Sequence, residues 1–220
     1  MAANKTEPQA AADQTATEPR WPAVLAILGV GALYSAMPET LRLGPYWLLL
    51  GIVSVLIIPT VIAHRTGRTK LNDVLGHTVL VSVTASMVWS LAMLIAGLPS
   101  HRDSPQVLLR AAASLWVANV LVFASWYWRL DAGGPNQRDL RGSHTEGAFL
   151  FPQMLISGKN KSSWRPGFVD YLFLAFNSST AFSPTDVPVL SRWAKLMMMV
   201  QALISFTSVV VIAARAVNIL

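Results

Sequence analysis

The residues best placed to do chemistry are crowded into one stretch, 170–192, which reads DYLFLAFNSSTAFSPTDVPVLSR. Asp170 opens an apolar run that closes on Asn177, Ser178, Ser179 and Thr180. Ser183, Thr185 and Asp186 follow among Pro184 and Pro188, and Arg192 starts the next apolar stretch. Proline ends a helix. Hydroxyls, freed carbonyls and an acid at a helix break are the groups that replace water around a cation. The same residues also suit a capped turn, with Ser183, Thr185 or Asp186 capping a neighbouring helix. Further on, Gln201, Ser205, Ser208 and Arg215 recur on one helical face. Such a face either hydrogen-bonds to neighbouring helices or lines a pathway.

Other chemistry has little to work with. His64, His77, His101 and His144 lie in loops or at the ends of apolar runs and form no metal-binding spacing. There is no cysteine, so thiol catalysis, disulfides and Cys-based metal sites are excluded. No GxSxG elbow occurs, and GKNKSS at 158–163 lacks the spacing of a phosphate-binding loop. The expectation is a protein that is not an enzyme and uses neither cofactor nor metal.

The elements that must position these residues are apolar helices. The chain has 220 residues, 53% of them hydrophobic and only 13% charged, where a soluble domain carries about 25% charged. Five long runs, 21–37, 45–63, 78–98, 105–128 and 193–214, approach the roughly 20 residues that cross a bilayer core. Arg110 and Arg215, near the ends of two of them, are placed to snorkel to the surface. A sixth run, 167–182, is shorter and predicts a short span or a re-entrant segment. GAFLFPQMLI at 147–156 is too short to span and is expected to lie in the interface. Residues 1–19 read as a disordered tail. Trp21, Trp47, Trp126, Trp128, Trp164 and Trp193 stand near run ends, where rings anchor at headgroups. Trp89 and Trp116 fall mid-run and are expected between helices. The fold class is therefore all-α: a single transmembrane bundle over 20–220, with five transmembrane helices plus a short sixth spanning or re-entrant helix.

The net charge of +6 reports topology. With the N-terminus inside and five crossings, only Arg42, Arg102, Arg110 and Arg215 fall outside, whereas 64–77 and 129–166 hold most of the basic residues inside. Six crossings give a similar bias. The charges flank spans and are not interleaved with aromatics, which argues against nucleic acid. The expected partners are the lipid bilayer, further copies of the same chain and a small cation.

The stretch from 168 to 220 resembles an uncharacterised family of bacterial inner-membrane proteins. The resemblance rests on Asp170-Tyr171-Leu172, Ala175-Phe176, Thr180-Ala181, Thr185-Asp186, Ser191-Arg192, Ile204-Ser205-Phe206 and Val217-Asn218. It implies a polytopic membrane protein in the cell inner membrane without implying an activity. A more distant similarity is to bacterial pore-loop potassium channels, in which outer helix, loop, pore helix, filter and inner helix follow one another. Here 105–128, 129–166, 167–180 and 193–214 are similar in order and length. Where that family has filter glycines around a tyrosine, this chain has Ala181-Phe182-Ser183-Pro184-Thr185-Asp186. The similarity therefore extends to layout and not to a potassium filter. The channel layout would also put 129–166 outside, against its charge. Two expectations follow: a channel-like or transporter-like membrane protein with a polar site at 170–188 and on the last helix, or a structural or accessory subunit that binds partner helices.

Overall fold

The structure is a computed structural model that describes residues 18–98, 104–141, 144, 147–155, 164–180 and 187–217, with 215–217 described by their backbone alone. It is all-helical, and among the described residues the only extended pairing is an isolated antiparallel bridge between Phe149 and Val189. The main helices are α1 (Trp21–Ser35), α2 (Leu48–Arg65), α3 (Thr69–Gly97) and α4 (Pro105–Leu130). Two short helices follow, α5 (Pro135–Asp139) and α6 (Pro152–Leu155), and then α7 (Phe168–Thr180) and α8 (Arg192–Val217). By length and composition α2, α3, α4 and α8 can each cross a membrane. At 15 residues, α1 is apolar but shorter than the expected run 21–37.

Local sequence explains the boundaries. Pro22 and Pro105 sit in the first turns of α1 and α4, where a missing N–H costs nothing. Ser104 caps α4 by accepting from the Val107 amide. Between α2 and α3 the chain reverses in three residues. Gly67 takes φ +68°, Arg68 N–H donates to Ala63 O at 2.9 Å and Gly67 N–H to His64 O at 3.2 Å. This paired C-terminal motif needs a residue at ease in the left-handed region. The expected polar loop 64–77 is thus mostly helix: α3 begins at Thr69, because one glycine suffices for the turn and nothing after it breaks the helix.

The position of α7 governs the rest. It has 13 residues, about 20 Å of helix, against a bilayer core of about 30 Å. Its N-terminal turn lies at the C-terminal end of α4, where Tyr171 donates to Asp131. Its last turn lies beside the middle of α4 and α8, where Ser179 meets Trp116, Asn119, Gln201 and Ser205. By Val189 the chain is back at the starting end: Leu150 N–H donates to Pro188 O (2.9 Å) and Leu190 N–H to Ala148 O (2.7 Å). The start of α7 and the residues around Val189 therefore lie at the same end of the bundle.

The stretch 147–156, described as far as Leu155, is buried in its first half and exposed from Pro152 to Leu155, Met154 apart. Ala148, Phe149 and Phe151 are buried, and Phe149 packs edge-on against Tyr127, Tyr171 and Trp193. This stretch plugs the end of the bundle, because its rings find aromatic partners on α4, α7 and α8. Tryptophans also differ from expectation. Trp128 is buried while Trp89 is 42% exposed on α3. Trp21 and Trp47 are exposed at helix starts.

Candidate functional site

Two buried polar sites share α4 and α7. The first is a seam between α4, α7 and α8. Gln201 is completely buried and donates its amide to Ala175 O (2.7 Å) and Ser179 Oγ (2.8 Å). Its Oε1 accepts from the Tyr127 hydroxyl at 2.6 Å. Ser205 Oγ donates to Ser179 O (2.6 Å) and accepts from Trp116 Nε1 (3.0 Å). Asn119 donates to Gln201 O at 3.1 Å, while its own Oδ1 is buried without a partner. An unpaired amide oxygen inside a bundle is costly. The rest of the seam is closed by its own hydrogen bonds.

The expected site residues divide accordingly. Ser179, Gln201 and Ser205 meet in the seam. Ser178 and Ser208 are buried nearby but bond within their own helices, to Leu174 O and Ile204 O. Thr180 is exposed and bonds back to Phe176 O, and Asn177 is half-buried. Asp170 caps α7 by accepting from the Gly167 amide at 2.7 Å, which places it away from the seam. Arg192 is exposed in the first turn of α8, and Arg110 is exposed near the start of α4. Ser183, Thr185 and Asp186, and the side chain of Arg215, lie outside the described residues.

The second site is a charged cluster at the end of the bundle. Asp131, wholly buried where α4 stops, accepts from Ala148 N–H (2.5 Å) on Oδ1 and from Tyr171 OH (2.6 Å) on Oδ2. His144 Nε2 stands 3.5 Å from Oδ2 without forming a hydrogen bond. Arg138, 3% exposed, donates to the carbonyls of Trp128 (2.8 Å) and Asp131 (2.9 Å) and to Glu18 (3.0 Å), and its guanidinium lies over the Tyr171 ring. Glu18 also accepts from Trp128 Nε1. Arg20 pairs with Asp139 at 2.5 Å, and Arg129 with Asp73 at 3.6 Å. Asn136 joins Asn72 and Asp73.

The turn after α4 builds this cluster. Ala132, Gly133 and Gly134 all have positive φ, which folds 135–141 back onto Trp128. A Cβ on Gly134 would stand 2.6 Å from Arg129 O, so only glycine fits. Gly147 is similar: a Cβ there would stand 2.9 Å from Asp131 Oδ1 and 3.0 Å from His144 Nε2. Burial holds the His144 imidazole below its ordinary value, and the nearby Asp131 opposes that shift. Burial likewise lowers the Arg20 guanidinium, against Asp139 and Glu18.

Sequence reasoning missed this cluster. The sequence reads residues 18 and 19 as part of a disordered tail, yet the Glu18 side chain is 9% exposed and held by Arg138 and Trp128. Arg129 and Arg138 belong to the 129–166 segment, whose basic residues the sequence reads only as a topology signal. In the seam, Trp116 packs between helices as its mid-run position predicts, whereas Asn119 and Tyr127 carry no role in the sequence reading. Asn119 carried a usable signal: an amide in the middle of an apolar span needs a partner. Among the described residues no three acids or histidines converge to hold a metal ion. The chain matches no protein-family model, no curated protein and no solved structure.

Proposed function

We propose that this chain is a multi-pass inner-membrane protein of pore-loop layout, channel-like or transporter-like, acting on a small cation as a homo-oligomer. In this reading α1, α2, α3, α4 and α8 are five spans, and the shorter α1 is accommodated by local thinning or by its flanking residues. The half-helix α7 is re-entrant, and the N-terminus is cytoplasmic. One observation carries the reading: α7 enters at the end where α4 stops, halts half-way, and the chain returns to pair at the same end. A half-helix ending at mid-depth directs its partial negative charge toward the bilayer interior, where it favours a cation. Irregular backbone is tolerated there only when protein shields it or water reaches it.

The test uses the absence of native cysteine. Single cysteines in 129–166 and 183–188 are labelled from one side in sealed vesicles. Labelling of both from the same side is expected, and opposite sides would remove the re-entrant layout. Cation flux from reconstituted vesicles tests the activity itself, and no flux under any gradient would defeat it.

A second reading, an accessory subunit, has its own support. The polar face of α8 is consumed by bonds to α4 and α7, whereas Leu196, Met199, Leu203 and Phe206 are exposed along its outer face. Co-purification of one stoichiometric partner would favour this reading over transport.

A further inference from the structure

Where α1 to α4 meet at the charged end lies a cavity of about 120 Å³. Ile27, Ile57 and Val79 contribute to its apolar wall. Arg20, His64 and Arg129 also line it, and no carboxylate does. Asp73 and Asp139, which pair with the two arginines, are not among the lining residues.

Gly76 lets the Arg129 guanidinium lie against α3, since a Cβ there would fall 2.0 Å from Cζ. Glycine inside a helix costs about 1 kcal/mol relative to alanine, and here it makes room for a cation beside an apolar slot. Arg20 engages Asp139 through Nη2. Its Nη1 is buried, stands 3.6 Å from Glu18 and makes no hydrogen bond. A donor is left over within the cluster, next to the cavity that Arg20 helps to line.

This combination selects its ligand by charge and shape. Oxyanions accept from guanidinium groups in short, directional bonds. A neutral amphiphile would offer the two guanidinium groups no anionic acceptor, and free phosphate would leave the apolar slot empty. An apolar cavity of about 150 Å³ accepts a benzene-sized group, so this one takes the upper methylenes of one acyl chain and no more. Basic pockets between helices at the membrane surface are suited to acidic headgroups. We infer that the cavity binds one anionic phospholipid, with its phosphate between Arg20 and Arg129 and the start of an acyl chain against Ile27, Ile57 and Val79. The inference rests on the membrane-spanning reading and is independent of channel activity.

The test uses the full chain purified in an uncharged maltoside detergent. Retention in membranes washed with alkaline carbonate checks the spanning reading separately. Thermal unfolding is then followed while short-chain phosphatidylglycerol, short-chain phosphatidylcholine or inorganic phosphate is added. Phosphatidylglycerol is expected to raise the midpoint saturably, and the other two to leave it unchanged. Arg129→Gln is expected to weaken half-saturation about tenfold, the order of one charge-assisted hydrogen bond. Ile57→Trp, which fills the slot and keeps every basic residue, is expected to do the same, and it decides the matter if the arginine variant does not fold. An equal shift with phosphatidylcholine, a shift with phosphate alone, or undiminished response in Ile57→Trp would overturn the inference.

Discussion

Replacing Asp131 with leucine should be among the most damaging single changes in this chain. The carboxylate is 0% exposed and takes two donors, the Ala148 amide at 2.5 Å and the Tyr171 hydroxyl at 2.6 Å. Hydrogen bonds to a charged group contribute about 1.5–3 kcal/mol each, and a buried donor left alone costs about 1–3 kcal/mol. Losing both acceptors at once should therefore cost about 3–6 kcal/mol, a large part of the roughly 5–15 kcal/mol that holds a typical domain together. Asp131→Asn keeps an acceptor for Ala148 and lets the tyrosine hydroxyl turn to accept, so about 1–3 kcal/mol is expected there.

A double-mutant cycle isolates the tyrosine bond. Tyr171→Phe alone should cost about 1.5–3 kcal/mol. In an Asp131→Leu background it should cost far less, because the hydroxyl already has no partner. Stability would be read from unfolding in mild detergent, and the position of α7 from labelling of single cysteines along it. Additive costs in the cycle, or an Asp131→Leu protein as stable as the parent, would refute the idea that this carboxylate pins α7 to the end of α4.

Two further expectations follow from the same geometry. Gln201→Leu should cost about 1–3 kcal/mol by stranding the buried Tyr127 hydroxyl, whereas Ser208→Ala, whose hydroxyl bonds only within its own helix, should stay within about 0.5 kcal/mol; detergent unfolding compares them directly. His144 gives a pH dependence of known sign. Its folded value is depressed, so between that value and about pH 6.5 the unfolded chain binds more protons. Stability is then full above about pH 6.5 and falls as the solution is acidified, and His144→Asn should flatten that part of the profile relative to the parent.

Much of the helical plan was legible in the sequence because hydropathy acts locally. The uncharged runs at 45–63 and 78–98 had no other low-energy solution than long helices, and α7 was recognisable from its length. The face carrying Gln201, Ser205 and Ser208 was also legible, since spacing of three and four residues forces them to one side, and all three are completely buried. What that face meets was not legible. Its partners, Asn119, Tyr127 and Ser179, come from two other helices, and nothing local in the sequence pairs them. The charged cluster was hidden for the same reason in stronger form. Glu18 and Arg138 are 120 positions apart, and an arginine in a polar loop reads as a topology signal until the fold brings an acid to it. Gly133 and Gly134 marked a turn but not its direction.

The two sites are joined by α7, and this constrains where motion can occur. At its outer end Tyr171 is bound to Asp131; one turn inward Ala175 O accepts from Gln201, and a further turn inward Ser179 is bound to Gln201 and Ser205. These contacts involve both α4 and α8. A slide of α7 by one helical turn, about 5.4 Å, would break all of them together, and smaller shifts meet close packing that does not deform continuously. The half-helix is therefore a fixed strut between α4 and α8. An activity that needs a path through this region must open it elsewhere, as on the outer face of α8, where Leu196, Met199 and Leu203 are exposed. Single cysteines in α7 should accordingly label alike whether or not a cation gradient is applied, while those on the outer face of α8 report any assembly.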